Sequence, residues 1–238
     1  MCKLFLRVHE AIDKFVTPKS FYLVKMKKLF LLLIWTCLSV SPFAMAQHPN
    51  SKAENRVSQQ VIEKTYKEAK LNGVIDFKLF RDAFIAYQKT PDRKKSILTI
   101  IDYSKPSTEK RFYVVDVNKK KLIYNTYVAH GVNSGKKTAT QFSNVVNSRK
   151  TSLGTFLTDT TYYGSNGYSL RLDGLSSGLN DKARERYIVV HGADYANPSF
   201  IKKNGYLGRS WGCPALPQKL SREIIDTIKG GSVIYASA

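Results

Sequence analysis

Two residues far apart in the sequence have the types to do chemistry together, Cys213 and His191. A cysteine attacks as its thiolate, and a free thiol with a pKa of about 8.5 is mostly protonated at neutral pH, so a histidine that takes the proton activates it. His191 ends the apolar run Tyr187-Ile188-Val189-Val190, which reads as a short buried strand, and Cys213 sits in Gly208-Arg209-Ser210-Trp211-Gly212-Cys213-Pro214. Gly212 has no side chain to obstruct a substrate, and backbone N–H groups around Gly212 and Cys213 are placed to face the oxyanion of a tetrahedral intermediate. The same residues also fit a buried structural thiol and a hydrogen-bonded core histidine. Spacing alone does not choose between the two.

The compartment bears on that choice. From Met26 the chain reads Met-Lys-Lys, an apolar stretch from Leu29 to Val40, then Ala44-Met45-Ala46 before Gln47. These are the three parts of a secretory signal peptide, expected over 26–46, with translation starting at Met26 and residues 1–25 outside the fold. The apolar stretch is shorter than the roughly 20 residues that span a bilayer, so no stable membrane insertion is expected after cleavage. Cleavage would remove Cys2 and Cys37 and leave Cys213 as the one thiol of a periplasmic or secreted protein. A lone thiol in an oxidising compartment makes no internal disulfide and is either buried and inert or a nucleophile.

The 38 Lys and Arg against 18 Asp and Glu give a formal charge of +20, compatible with nucleic acid, an anionic membrane or an anionic wall polymer. The basic residues are scattered, and the densest run after the N-terminal segment, Lys119-Lys120-Lys121, falls at an expected hairpin turn. No aromatic residues interleave with it as a stacking platform requires, so no nucleic-acid partner is expected.

The elements that must position Cys213 and His191 are mostly strands. A polar stretch over 47–56 precedes a helical pattern that places Val57, Val61, Ile62, Thr65, Tyr66 and Ala69 on one face. Asp76 is set to cap a second helix with Phe80, Ala83, Phe84 and Tyr87 as its apolar stripe, stopped at Pro91. The two make a helical N-terminal segment over 47–95. After Lys95 the helical period gives way to β-branched and aromatic runs over 97–103, 111–117 and 122–129, the last two forming a hairpin around Asn118. Residues 130–185 read as long loops with short strand-like pieces such as 154–159, able to wall a cleft. An amphipathic helix is expected over 221–229 and a closing strand over 232–235.

The run His191-Gly192-Ala193-Asp194 together with Gly208 to Ala215 resembles the murein L,D-transpeptidase catalytic domain family (YkuD-like) over roughly 96–237. There, an upstream His is followed by Ser or Thr, one residue, Gly and the nucleophilic Cys, and His191, Ser210, Gly212 and Cys213 fit those positions. Thr151-Ser152-Leu153-Gly154-Thr155-Phe156 is similar to a Thr-Pro-x-Gly-x-Phe segment of the family, with Ser152 in place of Pro. The resemblance implies a mainly β, β-sandwich-like catalytic domain over 96–238 after the short helical segment. It also implies an exported cysteine acyltransferase that attacks the L,D bond of a peptidoglycan stem peptide, with no cofactor or metal, through an acyl-enzyme resolved by an amine. Resolution by water, as in an L,D-carboxypeptidase or endopeptidase, is the alternative.

Two positions depart from the family pattern: Trp211 stands where His is frequent, and Pro214-Ala215-Leu216 replaces an Arg-containing stretch. Arg209 is a candidate to hold a substrate carboxylate in a two-point hydrogen bond, or is a surface arginine. His130, Gly192, Asp194, Trp211 and Tyr163, with its neighbours Tyr162 and Tyr168, are further candidate substrate contacts. Asp194 is also a candidate to orient His191, a role a backbone carbonyl can equally fill. Two other readings stand beside the acyltransferase: a zinc peptidase using His130, His191, Asp194 and Cys213, and a non-catalytic cell-wall-binding protein.

Overall fold

The structure, a computed structural model, describes residues 49–238, with side chains from Ser58 onward. The expected signal peptide lies outside the described residues. Helix α1 (Pro49–Glu68) begins ahead of the expected start at Val57 and takes in most of the stretch read as merely polar. Helix α2 (Phe77–Gln88) is capped as expected: the Asp76 carboxylate accepts from the Leu79 N–H at 3.0 Å, and Phe80, Ala83, Phe84 and Tyr87 are its buried residues. Val61, expected on the apolar face of α1, is 43% exposed.

Strands β1 (Ile97–Asp102) and β2 (Phe112–Asp116) are buried along their whole length because the sheet is covered on both faces there. Alternation divides the work. Leu98, Ile100, Tyr113 and Val115 pack with α1 and α2, whereas Ile97, Ile101, Phe112 and Val114 face the second, larger core. The remaining strands are β3 (Lys121–Thr126), β4 (Gly154–Gly164), β5 (Gly167–Gly174), β6 (Val189–Ala193), β7 (Ala215–Pro217) and β8 (Val233–Ser237). They form one eight-stranded sheet in the order β3-β2-β1-β8-β4-β5-β6-β7, parallel only at β1/β8 and β6/β7.

The two ends of that order meet. The chain leaving β3 runs on to β7, where the Ala129 N–H donates to the Ala215 carbonyl at 2.8 Å and Gly131 bridges Ser210. The sheet thereby wraps around the larger core, the sandwich-like arrangement expected, and β7 finds a partner in the segment that follows β3. Helix α3 (Pro198–Asn204) follows β6, and α4 (Gln218–Ile228) closes the core with Ile224, Ile225 and Ile228 fully buried.

The expected strand ending at His191 is displaced. Tyr187 has φ +54, a left-handed conformation that breaks the extension, and β6 instead runs from Val189 through His191 to Ala193 because β7 pairs with it from His191 onward. The stretch 130–185, read as loops with short strand pieces, contains all of β5 and a β4 that reaches Gly164.

Candidate active site

The 208–214 loop is tied to the strand extension 129–132. Ser210 is 5% exposed and acts as the hub: its N–H donates to the His130 carbonyl at 2.9 Å and its carbonyl accepts from Val132 at 2.7 Å. Its hydroxyl donates to the Cys213 carbonyl at 2.6 Å and accepts from the Gly212 N–H at 3.1 Å. Gly212 has φ +123, and a Cβ there would lie 2.9 Å from the Lys150 carbonyl oxygen, so conformation and space both require glycine. The Gly212 N–H, one of the two expected oxyanion donors, is thus already engaged inside the loop.

Cys213 is 8% exposed and lies along the start of β6, its thiol donating to the Tyr187 carbonyl at 3.6 Å. Burial pushes the thiol pKa up, while the Val189 N–H and the Arg186 guanidinium pull it the other way. His191 pairs with Ala215 across the parallel β6/β7 register, so Cys213 lies level with Val189, two residues before His191. The ring is 3% exposed, and its Nδ1 is 2.9 Å from the Gly192 carbonyl. Burial holds the imidazole below its ordinary pKa, with the Gly192 carbonyl opposing, so it is neutral at pH 7. An Nδ1–H donated to Gly192 leaves Nε2 with its lone pair.

A cleft of about 640 Å³ opens over Cys213, lined among others by Asn147, Arg149, Arg186, Tyr187 and Trp211. Asn147, Arg149 and Tyr187 all have positive φ, at 62°, 54° and 54°. Such conformations each cost on the order of 1 kcal/mol and gather where surrounding structure enforces them, often at functional sites. The Trp211 ring is 70% exposed, with the Arg149 guanidinium 4.3 Å from its centroid. Both side chains border open solvent over a buried thiol.

A sequence model of the L,D-transpeptidase catalytic domain matches residues 71–237. The chain belongs to the L,D-transpeptidase catalytic domain family. Its match begins ahead of α2, whose buried face shares a core with β1 and β8. Among solved structures the chain is similar to an L,D-transpeptidase from Mycobacterium smegmatis, at 16% identity over 60% of this chain and 59% of that one, with a TM-score of 0.37. It is also similar to Mycobacterium tuberculosis L,D-transpeptidase 1, at 15% identity over 60% and 62% with a TM-score of 0.34. For a mutant of the Enterococcus faecium L,D-transpeptidase the values are 14% identity, 60% and 50%, and 0.35. No curated protein matches. The chain spans about 59% of the length of the first of the solved structures it matches.

Within this L,D-transpeptidase domain the structure separates the candidate residues. Trp211 and Cys213 line one cleft; Ser210 and Gly212 shape the loop that carries them. His130 is fully buried rather than facing the cleft. Its Nδ1 is 2.8 Å from the Arg111 guanidinium and its Nε2 3.1 Å from the Gly135 carbonyl, and burial followed by Arg111 lowers its pKa to about 4. Arg209 points toward the Val132 and Gly135 carbonyls, each 3.4 Å away, and is not among the residues lining the cleft. Gly192 is packed against α4, where a Cβ would overlap the Ser221 hydroxyl, so its face is closed to a ligand. Asp194 accepts from Asn197 at 3.2 Å, and the Nδ1 of His191 takes the Gly192 carbonyl instead.

Tyr163 faces α4: its hydroxyl accepts from Arg222 at 2.6 Å and its ring lies 5.3 Å from that of Tyr168. Tyr162, on the opposite face of β4, lines a second groove of about 410 Å³ with Arg171, Arg184, Glu185 and Tyr187. Among the described residues no three His, Cys, Asp or Glu side chains gather closely enough to hold a metal, so the zinc ligand set is not assembled. Sequence reasoning missed Arg149, Arg186 and Tyr187 in the cleft wall. Their only local signal is position just before a strand or within a loop, which is shared by many residues.

Proposed function

We propose that this domain is an exported cysteine acyltransferase that attacks the L,D bond of peptidoglycan stem peptides through Cys213, with His191 as the base. The observation that carries the reading is the His191 ring, neutral, its Nδ1 on the Gly192 carbonyl, two residues along β6 from the level of Cys213. In the proposed reaction Nε2 takes the thiol proton as Sγ attacks the peptide carbonyl. The tetrahedral oxyanion is met by the Cys213 N–H, and collapse expels the leaving amine, which takes the proton from the imidazolium. In this reading Gly192 supplies the third member of the group through its carbonyl, which holds Nδ1 and leaves Nε2 for the thiol proton. Ser210 positions the loop without touching the reacting atoms.

An amine acceptor then regenerates the thiol and completes transpeptidation, whereas water gives the carboxypeptidase or endopeptidase outcome. Support for export comes from the signal-peptide pattern of 26–46 and the single thiol it would leave. The net positive charge suits attraction to an anionic wall, in keeping with a protein of the periplasm or the cell exterior.

The test is turnover of purified muropeptides, with and without an amine acceptor, resolved by mass spectrometry. Wild-type protein is expected to give new crosslinks or trimmed peptides, and Cys213→Ala neither. Undiminished turnover by Cys213→Ala would end the reading, and binding to sacculi with no change in their muropeptides would leave a wall-binding protein in its place.

A further inference from the structure

The charged group beside Cys213 in the cleft wall is Arg186, and its surroundings are unusual for a partly buried cation. Its guanidinium makes four hydrogen bonds, all into the segment 143–152. Nη1 donates to the Ser143 carbonyl at 2.5 Å and to the Ser152 hydroxyl, and Nη2 to the Lys150 carbonyl at 2.6 Å and the Ser148 hydroxyl at 3.1 Å. Every one of these acceptors is a neutral oxygen. The positive charge is therefore fixed in place with no carboxylate among those partners to neutralise it. Nη2 also lies 3.4 Å from the point where a Cβ on Gly212 would stand, against the peptide just before Cys213.

Ser152, which replaces Pro in the segment that resembles the family, is part of the clamp. Its hydroxyl donates to the Ser143 carbonyl at 2.9 Å and accepts from Arg186, which a proline side chain cannot do. The other ionisable groups around the thiol are His191 on β6, Tyr103 after β1, Tyr195 after β6, and Arg149 and Glu185 across the cleft. Of these, the two tyrosines disfavour a thiolate when ionised, and Arg149 is stacked on Trp211. A simple brace would need donors but no charge.

We propose that Arg186 is the positioning residue of the Cys213 thiolate, a fixed cation that the 143–152 loop builds beside Gly212 through Ser152. The inference rests on Cys213 being the nucleophile. A fixed cation in the same cleft wall as a partly desolvated thiolate favours the ionised form, and burial makes that help necessary.

The experiment is the pH profile of iodoacetamide labelling at Cys213 in the full chain, read at that peptide by mass spectrometry, with thermal denaturation as the check on folding. Arg186→Met removes charge and donors, Arg186→Gln removes charge but keeps an N–H pair, and Arg186→Lys keeps the charge. The two neutral variants are expected to label about threefold to tenfold more slowly at pH 7, with the midpoint moved to higher pH. The lysine variant should stay within about twofold of wild type, and Ser152→Ala, which leaves three of the anchors, should lose about twofold. Folded neutral variants with the wild-type profile would overturn the proposal. So would a lysine variant shifted as far as Met, or neutral variants that all fail to fold, since each makes Arg186 a brace. If wild-type Cys213 does not label at any pH, or Cys213→Ala keeps turnover, the nucleophile assignment fails instead.

Discussion

At the scale of single residues, the proposed chemistry depends on groups that neutralise or orient one another inside a buried site. His191 has one nitrogen committed to the Gly192 carbonyl and a lowered pKa, so it enters the reaction as a neutral base. His191→Gln should lower kcat by about 10²- to 10⁴-fold with little change in thermal stability, measured by muropeptide turnover and by melting. The acid limb of kcat/KM for the wild type should fall below the ordinary histidine value of about 6.5, because burial stabilises the neutral ring. Ser210 makes a different prediction, since its hydroxyl joins the Gly212 N–H to the Cys213 carbonyl. Ser210→Ala leaves both groups short of a partner and should cost roughly 1–3 kcal/mol in chemical denaturation, with kcat reduced more than KM is raised.

Elements bring these residues together, and here the sequence is informative in some places and silent in others. The Asp76 cap and the stripe of α2, the runs of β1 to β3 and the amphipathic pattern before Lys229 are all local signals, and each corresponds to an element of the structure. Strand β5 alternates Tyr168, Leu170 and Leu172 with Ser169, Arg171 and Asp173, a strand signal obscured by the Gly- and Ser-rich stretch around it. Strand β7 has three residues, too few for any periodicity. The proposed pairing of Cys213 with His191 rests on residue type and motif, which are local to the sequence. The Arg186 clamp and the burial of His130 could not be read there, because Arg186 reaches the Ser143 carbonyl 43 residues away and His130 meets the Arg111 guanidinium 19 residues away, leaving no local pattern. The β6/α4 contact is a test at this scale. Gly192→Ala should force α4 away from the strand, costing about 1–3 kcal/mol by thermal denaturation, and Ser221→Gly in the same chain should recover part of that loss.

For the whole molecule, the link from β3 to β7 makes a buried polar centre part of the closure. Arg111 is fully buried, bonds the Val128 carbonyl at 2.9 Å and the Lys105 carbonyl at 2.7 Å, and leaves His130 to accept from it as a neutral ring. His130 binds its proton at about 4 in the folded protein against an ordinary value of 6.5. Between those values the unfolded chain holds more protons, so stability rises with pH across the window. It is fully present above about 6.5 and lost progressively as pH falls toward 4, a change of roughly 3 kcal/mol for this group. Denaturant unfolding across that range should show the loss, and His130→Gln should flatten it. The acid sensitivity therefore belongs to the strand extension that carries the candidate site, and local loosening there should precede global unfolding.

The placement of Trp211 has an optical consequence. The sequence has two tryptophans, and the other, Trp35, falls within the expected signal peptide. A chain beginning at Gln47 would therefore carry one indole, stacked under Arg149 at the mouth of the cleft beside Cys213. Its emission is a built-in reporter of occupancy: a peptide that lifts Arg149 from the ring, or excludes water from it, should change intensity and wavelength without any added label, allowing binding and acylation to be timed separately in a stopped-flow trace.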